Sequence, residues 1–366
     1  MLKNYFRIAF RQLTRNKGYS FINIAGLASG LAITLLITLW IKDELTFNHY
    51  HANHKRIAQG MIIQRLPEQT WNGTTVSMPM GAALRDQYSD VFVKTANICD
   101  ADYYLVATGD KKLNVRGMWA QKEIADIFTF KMTGGSAASM SDPSTAIISQ
   151  SLATALFGRE DPVGKTFKLK NRLDLRIGGV YEDHPRNSEF YNIKMVLPWY
   201  NEQNHYHVDS KKWGDHNGQL YVLLAPNINA EQASKRIEHL PTDKIKEWRE
   251  DAMVYPLDRA YLYNEFKNGV SVGGRIQFVW LFGTIGVFVL LLACINFMNL
   301  STARSEKRAR EVGIRKTVGS LRQQLIFQFL SESVLLALLA FAVSLVLVAL
   351  SLPFFNQLAA KNMTIP

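Results

Sequence analysis

The residues with the clearest chemistry form a dense basic segment near the C-terminal end of the chain. Between residues 304 and 322 the sequence carries seven bases against two acids, Glu306 and Glu311. Guanidinium and ammonium groups can form charge-assisted hydrogen bonds with the carboxylates of another protein. Basic residues also accumulate in the short cytoplasmic loops of membrane proteins. The seven bases are Arg304, Lys307, Arg308, Arg310, Arg315, Lys316 and Arg322.

The spacing of charges and glycines predicts the shape of this segment. The two acids stand four residues before Arg310 and Arg315, which is the favourable order for ion pairs along a helix. Gly313 and Gly319 are expected to interrupt that helix, and a Ser–Gln capping box at 320–323 is expected to begin the next one. The pattern therefore predicts a short basic helix between two turns, suited to docking against another protein.

Other candidate chemistry is weaker. The run Gly164-Lys165-Thr166 resembles a phosphate-binding loop, but Gly158 lies one residue too far upstream and Pro162 removes a backbone amide. We interpret it as a turn between a helix and a strand. Three histidines lie within residues 48–54, yet no acidic or thiolate partner stands beside them, so a polar linker is favoured over a metal site. The histidines considered are His49, His51, His54, His205, His207 and His216.

Three apolar runs determine where the basic segment lies relative to the membrane. Residues 19–41, 276–300 and 325–352 are each long enough to cross a bilayer, which takes about 20 residues. Basic flanks predict a cytoplasmic N-terminus, residues 42–275 outside, 301–324 inside and the tail 353–366 outside. A cleaved signal peptide is the alternative for the first run, but no small-residue cleavage site follows it. Ending outside, the chain is expected to stop short of a fourth span.

The charge distribution supports this topology. Residues 1–18 carry five bases and no acid, whereas residues 42–275 are almost balanced. The net charge of +11 is therefore a sign of membrane orientation and not of nucleic-acid binding. Residues 1–18 are predicted to form an amphipathic helix on the inner leaflet, ended by Gly18, with Ser20 capping the first span. Within that span, Gly26 and Gly30 predict close packing against another helix.

One acid lies inside an apolar run. Glu332 is either a buried partner for a neighbouring helix or a side chain that reaches the interface, and the sequence favours neither.

The outer segment 42–275 mixes strand-like and helix-like patterns, which predicts an α+β domain with two subdomains. Breaks are expected near 112–120 and 185–220. Strands are predicted at 57–64, 91–98, 103–107, 113–119, 146–148, 166–169, 175–181, 193–197, 219–224 and 253–256. Helices are predicted at 79–87, 150–157, 230–239 and 242–249.

The chain resembles the FtsX/MacB family of ABC-transporter permeases. The residues that carry the resemblance are RSEKRAREVGIRKTVGS at 304–320, AIISQSLATALFGREDPVGKTFKL at 146–169, IGGVYEDHPRNSEF at 177–190 and the N-terminal NYFRIAFRQLTRNKGYSFINIAGLASGLA. The chain departs from the family in its number of spans and in lacking a fused ATPase.

This resemblance implies a non-enzymatic permease subunit that couples ATP hydrolysis on a separate ATPase chain to movement of the outer domain. It implies no cofactor in this chain, with ATP and Mg²⁺ on that partner. A second permease copy or half, a periplasmic adaptor or substrate, and the lipid bilayer are the other implied partners. The residues implied to contact the ATPase are Arg308, Arg310, Glu311, Gly313, Arg315, Lys316, Val318 and Gly319.

Two other functions remain open at this stage. The chain could be a membrane signalling receptor, with the outer domain sensing a ligand. It could also be an FtsX-like regulator of periplasmic hydrolases. An enzyme is disfavoured because no nucleophile, paired carboxylates or metal-ligand set stands at a useful spacing.

Overall fold

The structure is a computed structural model, and it describes residues 17–66, 70–99, 101–201, 204, 211–246, 248–317 and 322–365. The chain divides into two units, Met1–Leu45 with Gln277–Pro366, and Thr46–Ile276. The helices are α1 Lys17–Leu45, α2 Met78–Gln87, α3 Ile124–Ile127, α4 Gln150–Phe157, α5 Ala230–Ile237, α6 Leu257–Ala260, α7 Ile276–Thr317 and α8 Arg322–Ala359.

The strands lie between α1 and α7. They are β1 Ile57–Arg65, β2 Thr70–Gly73, β3 Phe92–Ile98, β4 Asp102–Thr108, β5 Lys111–Ala120, β6 Met132–Gly135, β7 Thr145–Ser149, β8 Thr166–Leu169, β9 Leu173–Tyr181, β10 Met195–Pro198, β11 Gln219–Leu224, β12 Arg249–Pro256, β13 Glu265–Lys267 and β14 Val270–Gly273.

Within the described residues, three helices are long and apolar enough to cross a membrane, as the sequence predicted. These candidate spans are Lys17–Leu45, Ile276–Thr302 and Leu325–Ala359. The first helix includes Gly18 and Ser20, so these two residues do not end one helix and cap another. A glycine in a helix costs only about 1 kcal/mol relative to alanine, which the apolar run that follows can offset. The predicted amphipathic helix at 1–18 falls almost entirely outside the described residues.

The last helix is longer than the predicted span 325–352. It continues through Pro353 to Ala359, so the first part of the expected tail is helical. Proline removes one backbone hydrogen bond, and membrane helices tolerate this loss because nearby Ser hydroxyls and local adjustment satisfy the freed groups. Ser351, two residues before the proline, donates to the carbonyl of Leu347 at 2.7 Å, and the carbonyl freed by the proline is that of Ala349.

One half of the outer domain is a four-stranded antiparallel sheet. Its strands lie in the order β3-β11-β1-β12. Of these four strands, β1 and β11 are the first and third in the chain, and they are followed by α2 and α5, respectively. This order is that of a ferredoxin-like split βαβ motif. The helices cover an apolar core that includes Leu84, Leu220, Val222, Ala233 and Val254.

The other half is inserted between β3 and β11. Strands β10, β7, β9, β8, β4 and β5 pair in succession, and β10 also pairs with β5, so the six strands close into a ring. Its interior is filled by a cluster that includes Trp119, Phe167 and Leu197. The insertion begins after Ile98, ahead of the break expected near 112–120, because β4 and β5 both belong to the ring. The α+β class with two subdomains is confirmed.

One predicted helix is wrong. Residues 242–244 form a turn, residues 245 and 246 are not helical, and Arg249 already begins β12. Thr242 explains the difference, since its hydroxyl bonds both the backbone N–H and the carbonyl of Glu250. A threonine side chain that satisfies backbone groups in this way competes with helix formation. Helix α5 is capped as predicted, with Asn229 accepting from the amide of Gln232.

Candidate functional site: the basic segment and the helices that carry it

Residues 304–317 of the basic segment are carried by one uninterrupted helix. Helix α7 contains 42 residues and passes through Gly313 to Thr317, so the predicted interruption at Gly313 is wrong. At 1.5 Å per residue it is about 63 Å long. The expected short basic helix between two turns is therefore the end of α7. A single glycine lowers helix stability without ending a helix, and the spacing of Glu306 and Glu311 before Arg310 and Arg315 favours continuation.

The structure places most of the proposed contact residues beyond the apolar span of α7, which ends at Thr302. Gly313 has open space around it, and the neighbouring Ile314 is 65% exposed. The last helix begins at Arg322, and Ser320 of the predicted capping box lies outside the described residues. The contact residues within α7 are Arg308, Arg310, Glu311, Gly313, Arg315 and Lys316, whereas Val318 and Gly319 lie outside the described residues.

The first helix packs closely against α7 at its glycines. A methyl group added at Gly30 would lie 2.4 Å from Cβ of Ala293, and one added at Gly26 would lie 2.9 Å from Nδ2 of Asn296. Real Cβ atoms do not approach so closely, so the backbones meet at Gly30 only because this residue has no side chain, whereas at Gly26 the neighbour is the end of the Asn296 side chain. Small residues allow this kind of contact between membrane helices.

Further contacts extend along the same pair of helices. The ring of Trp40 lies edge-on to Phe282, with centroids 4.9 Å apart. The carbonyl oxygen of Gly286 lies 3.4 Å from the hydroxyl of Thr34 and serves as a second acceptor for it. These contacts join α1 to α7 over several turns.

The first helix also packs against α8. A small apolar cluster contains Leu27 and Ala28 of α1, Ala293 of α7 and Ala340 of α8. Helix α1 therefore holds the other two helices together. Glu332 of α8 is buried, with 5% of its surface exposed, which supports a buried position against protein over a side chain that reaches the interface.

An ion pair group joins the ends of α1 and α8. Nζ of Lys361 lies 2.7 Å from a carboxylate oxygen of Asp43 and 2.7 Å from one of Glu44. The three side chains are 7 to 14% exposed. Asn356 exchanges two 2.9 Å hydrogen bonds with the backbone of Met363, which turns the chain back so that Lys361 reaches α1. Burial lowers the pKa of Lys361, but the two carboxylates outweigh it and raise the pKa above 10.5.

The histidines of residues 48–54 separate into two environments. His51 is buried, accepts from the amide of Thr129 at 3.2 Å and bonds Ser188 at 3.1 Å. Burial, with His184 and His54 nearby, lowers the pKa of His51 to about 3, so it stays neutral at physiological pH. His49 and His54 instead stack on one another, with ring centroids 4.4 Å apart.

The remaining motifs have structural roles. His216 bonds the buried carboxylate of Glu250 at 2.9 Å, and His205 and His207 lie outside the described residues. Gly158 ends α4 with a positive φ of 67°, and Gly164 has a φ of 85° in the turn before β8. Lys165 pairs with Glu160. The interpretation of 158–166 as a turn between a helix and a strand is confirmed.

Comparison with known proteins identifies the family. The family model described as the MacB-like periplasmic core domain matches residues 20–240, and the model described as the FtsX-like permease C-terminal domain matches residues 283–366. The chain belongs to the MacB/FtsX family of ABC transporter permeases. The predicted resemblance is thus confirmed.

Individual members of this family match the chain in sequence over part of their own length. The macrolide export ATP-binding/permease protein MacB of Neisseria gonorrhoeae is 26% identical over 216 residues, 59% of this chain and 31% of the relative. The uncharacterised ABC transporter permease YknZ of Bacillus subtilis is 28% identical over 195 residues, 53% of this chain and 45% of the relative. The chain therefore spans less than half the length of either curated relative.

A solved domain of a permease protein from Porphyromonas gingivalis has the same outer fold. It aligns with a TM-score of 0.50 and 21% identity, covering 56% of this chain and 91% of that domain. The likeness concerns the fold alone.

The contact at Gly30 gives a direct prediction. Gly30→Ala should lower the stability of the detergent-solubilised permease by about 1–3 kcal/mol, because the added methyl overpacks a close helix contact. Gly18→Ala is the matched control, since Gly18 has no neighbour within 4 Å. Ala293→Gly should restore part of the loss in the Gly30→Ala background. Thermal unfolding followed by circular dichroism measures all three, and equal melting of the two single variants would contradict the packing.

The Lys361 ion group gives a second prediction. Lys361→Met should destabilise the permease at neutral pH by about 3 kcal/mol, because it leaves two carboxylates without their shared cation. Because the folded pKa is raised above 10.5, this contribution is complete below pH 10.5 and is lost as the pH rises through the folded value. The difference between variant and wild type should therefore persist at neutral pH and shrink in strong alkali.

A double-mutant cycle controls the Lys361 experiment. In an Asp43→Asn/Glu44→Gln background, Lys361→Met should cost much less, since no carboxylate remains to be paired. An undiminished cost in that background would show that Lys361 acts through packing and not through charge.

Proposed function

We propose that this permease transmits the ATP-driven closure of a separate cytoplasmic ATPase to its outer domain. The observation that carries the proposal is the continuity of α7, which begins where the outer domain ends and runs without a break to the basic segment. A helix moves as a stiff rod, because each turn is hydrogen-bonded to the next. A displacement at residues 304–317 is therefore passed along the helix to Ile276.

The basic segment would be the surface that contacts the ATPase. Its arginines and lysines can pair with acidic groups of the partner, and Gly313 leaves the helix surface open for close approach. Ile314, with 65% of its surface exposed, adds an apolar contact. ATP and Mg²⁺ would be bound by that partner, and this chain would supply no catalytic group.

The orientation follows the positive-inside pattern. We place the N-terminus and residues 301–324 in the cytoplasm, and Thr46–Ile276 on the far side of the inner membrane. The exposed apolar side chains along α7, such as Trp280, Phe288 and Leu292, would face the bilayer or a second permease copy or half. A periplasmic adaptor or a substrate would meet the outer domain.

The match to a MacB-like core domain favours this function over the two alternatives. An FtsX-like regulator of periplasmic hydrolases remains the second candidate, because the C-terminal family model is described as FtsX-like. A signalling receptor has no specific observation in its favour. The receptor alternative predicts that ATPase coupling at the basic segment is absent.

Charge reversal in the basic segment tests the proposal. In nanodiscs that contain the permease and the ABC ATPase that purifies with it, Arg310→Glu/Arg315→Glu should weaken ATPase binding at least about tenfold and abolish permease-dependent ATP hydrolysis. Each lost charge-assisted bond is worth about 1.5–3 kcal/mol. Because reversal also places like charges four residues apart, Arg310→Gln/Arg315→Gln should be tested too and should give the same direction of change.

The matched control is Lys211→Glu/Lys212→Glu, which makes the same charge change on exposed residues of the outer domain. It should leave ATPase binding unchanged. Full coupled activity in the Arg310/Arg315 double reversal, with normal membrane insertion, would remove the basic segment from the mechanism.

A further inference from the structure

Two histidines and an aspartate from distant parts of the chain converge on one side of the outer domain. His49 and His54 lie in the turns that follow α1, and Asp258 lies in the short helix α6 that follows β12. One possible ligand atom from each of these three residues lies within 4.8 Å of the other two. In sequence the histidines had no acidic partner, and the fold brings one from about 200 residues away.

The turns hold the two histidines on a fixed backbone. The amide of His49 donates to the carbonyl of Thr46 at 3.1 Å, and that of His54 donates to His51 at 3.0 Å. Between them the buried ring of His51 is fixed by its bonds to Thr129 and Ser188. The backbone is thus anchored on both sides of the pair.

The side chains themselves keep room to adjust. His49 is exposed, and the side chains of His54 and Asp258 are 17% and 28% exposed. Nδ1 of His54 lies 2.8 Å from a carboxylate oxygen of Asp258. Ligands of a tetrahedral zinc ion stand about 3.4 Å apart, given metal–ligand distances of about 2.1 Å. A metal that replaces the shared proton therefore needs the His54–Asp258 pair to separate by about half an ångström, while His49 moves inward.

The donor set points to one class of ligand. Two imidazole nitrogens and one carboxylate oxygen suit a divalent first-row transition metal, with zinc as the common case, and fit calcium or magnesium poorly. We propose that His49, His54 and Asp258 bind Zn²⁺, with solvent at the fourth position. The proposal is independent of the proposed ATPase coupling.

A second group of three possible donors on the outer domain is less suited to bind a metal ion. Glu238, His239 and Asp251 also lie near one another, but Asp251 is already engaged by two guanidinium groups. Arg65 lies 2.8 Å and Arg249 3.7 Å from its carboxylate oxygens. A metal ion there would meet two fixed positive charges, whereas among the described residues the ion pair at the first group joins His54 to Asp258.

Bound zinc would connect the two ends of the outer domain. Residues 46–54 follow the first membrane helix in the chain, and Asp258 stands 18 positions before Ile276, where α7 begins. Cross-linking these segments restrains the points at which the chain enters and leaves the domain. Zinc would therefore raise the thermal stability of the outer domain by binding the folded state alone.

Zinc titration of the full-length chain in detergent, purified without a histidine tag, tests the proposal. Competition with a chromophoric chelator should give one Zn²⁺ per chain with a Kd of about 1 µM or tighter, as befits three protein ligands. His49→Ala and Asp258→Asn should each weaken binding about tenfold or more and remove the zinc-dependent rise in melting temperature.

His239→Ala is the matched control, since it removes a histidine from the other group of donors. It should leave zinc affinity unchanged, and circular dichroism should show that every variant is folded. Absence of binding at about 10 µM zinc, an unchanged affinity in His49→Ala, or loss of binding in His239→Ala would each overturn the proposal.

Discussion

A chain that crosses a bilayer must satisfy its backbone polar groups within itself, and this constraint determines the membrane part of the permease. Helices α1, α7 and α8 meet it by intrahelical hydrogen bonds. Lipid is as apolar as leucine, so the hydrophobic effect does not hold such helices together. Close backbone contact at Gly30 and the small apolar cluster around Ala28 supply the packing instead. The ion group at Lys361 adds a charged contact where the helices end.

The same constraint makes α7 one continuous helix. Helix α7 must be helical from Ile276 to Thr302 to cross the membrane, and its helix then continues to Thr317 without a break. The basic segment is thus joined to the border of the outer domain by one rod. In the account proposed above, force on the arginines moves that rod, and the contacts with α1 and α8 decide how freely it moves.

Much of the fold follows from local patterns in the sequence. The apolar runs give the three spans. Alternating residues place β8, and a short continuous apolar run places β11, at the bounds seen in the structure. Local patterns fail where a distant contact decides. The helix predicted to begin at Thr242 does not begin there, because the hydroxyl of Thr242 bonds the strand residue Glu250. Gly313 remains inside a helix because a single glycine is only a modest penalty there.

The sites show the same limit more strongly. The basic segment is visible in the sequence because its charges lie within about 20 residues of one another, and six of its seven bases lie on α7. Lys361 and Asp43 are separated by most of the chain, and nothing in either neighbourhood indicates that they pair. The partnership of His54 with Asp258 is equally invisible, since it depends on β12 returning beside β1. Such pairs require the topology and not only the pattern.

The central claim is that the basic segment and the outer domain lie on opposite sides of one membrane, joined by α7. Labelling of single cysteines with a membrane-impermeant maleimide in intact spheroplasts tests it most directly, in a chain whose Cys99 and Cys294 are replaced by serine. A cysteine at position 212 should be labelled at once, and a cysteine at position 310 only after the membrane is permeabilised. Labelling of position 310 in intact spheroplasts, or protection of position 212, would contradict the account.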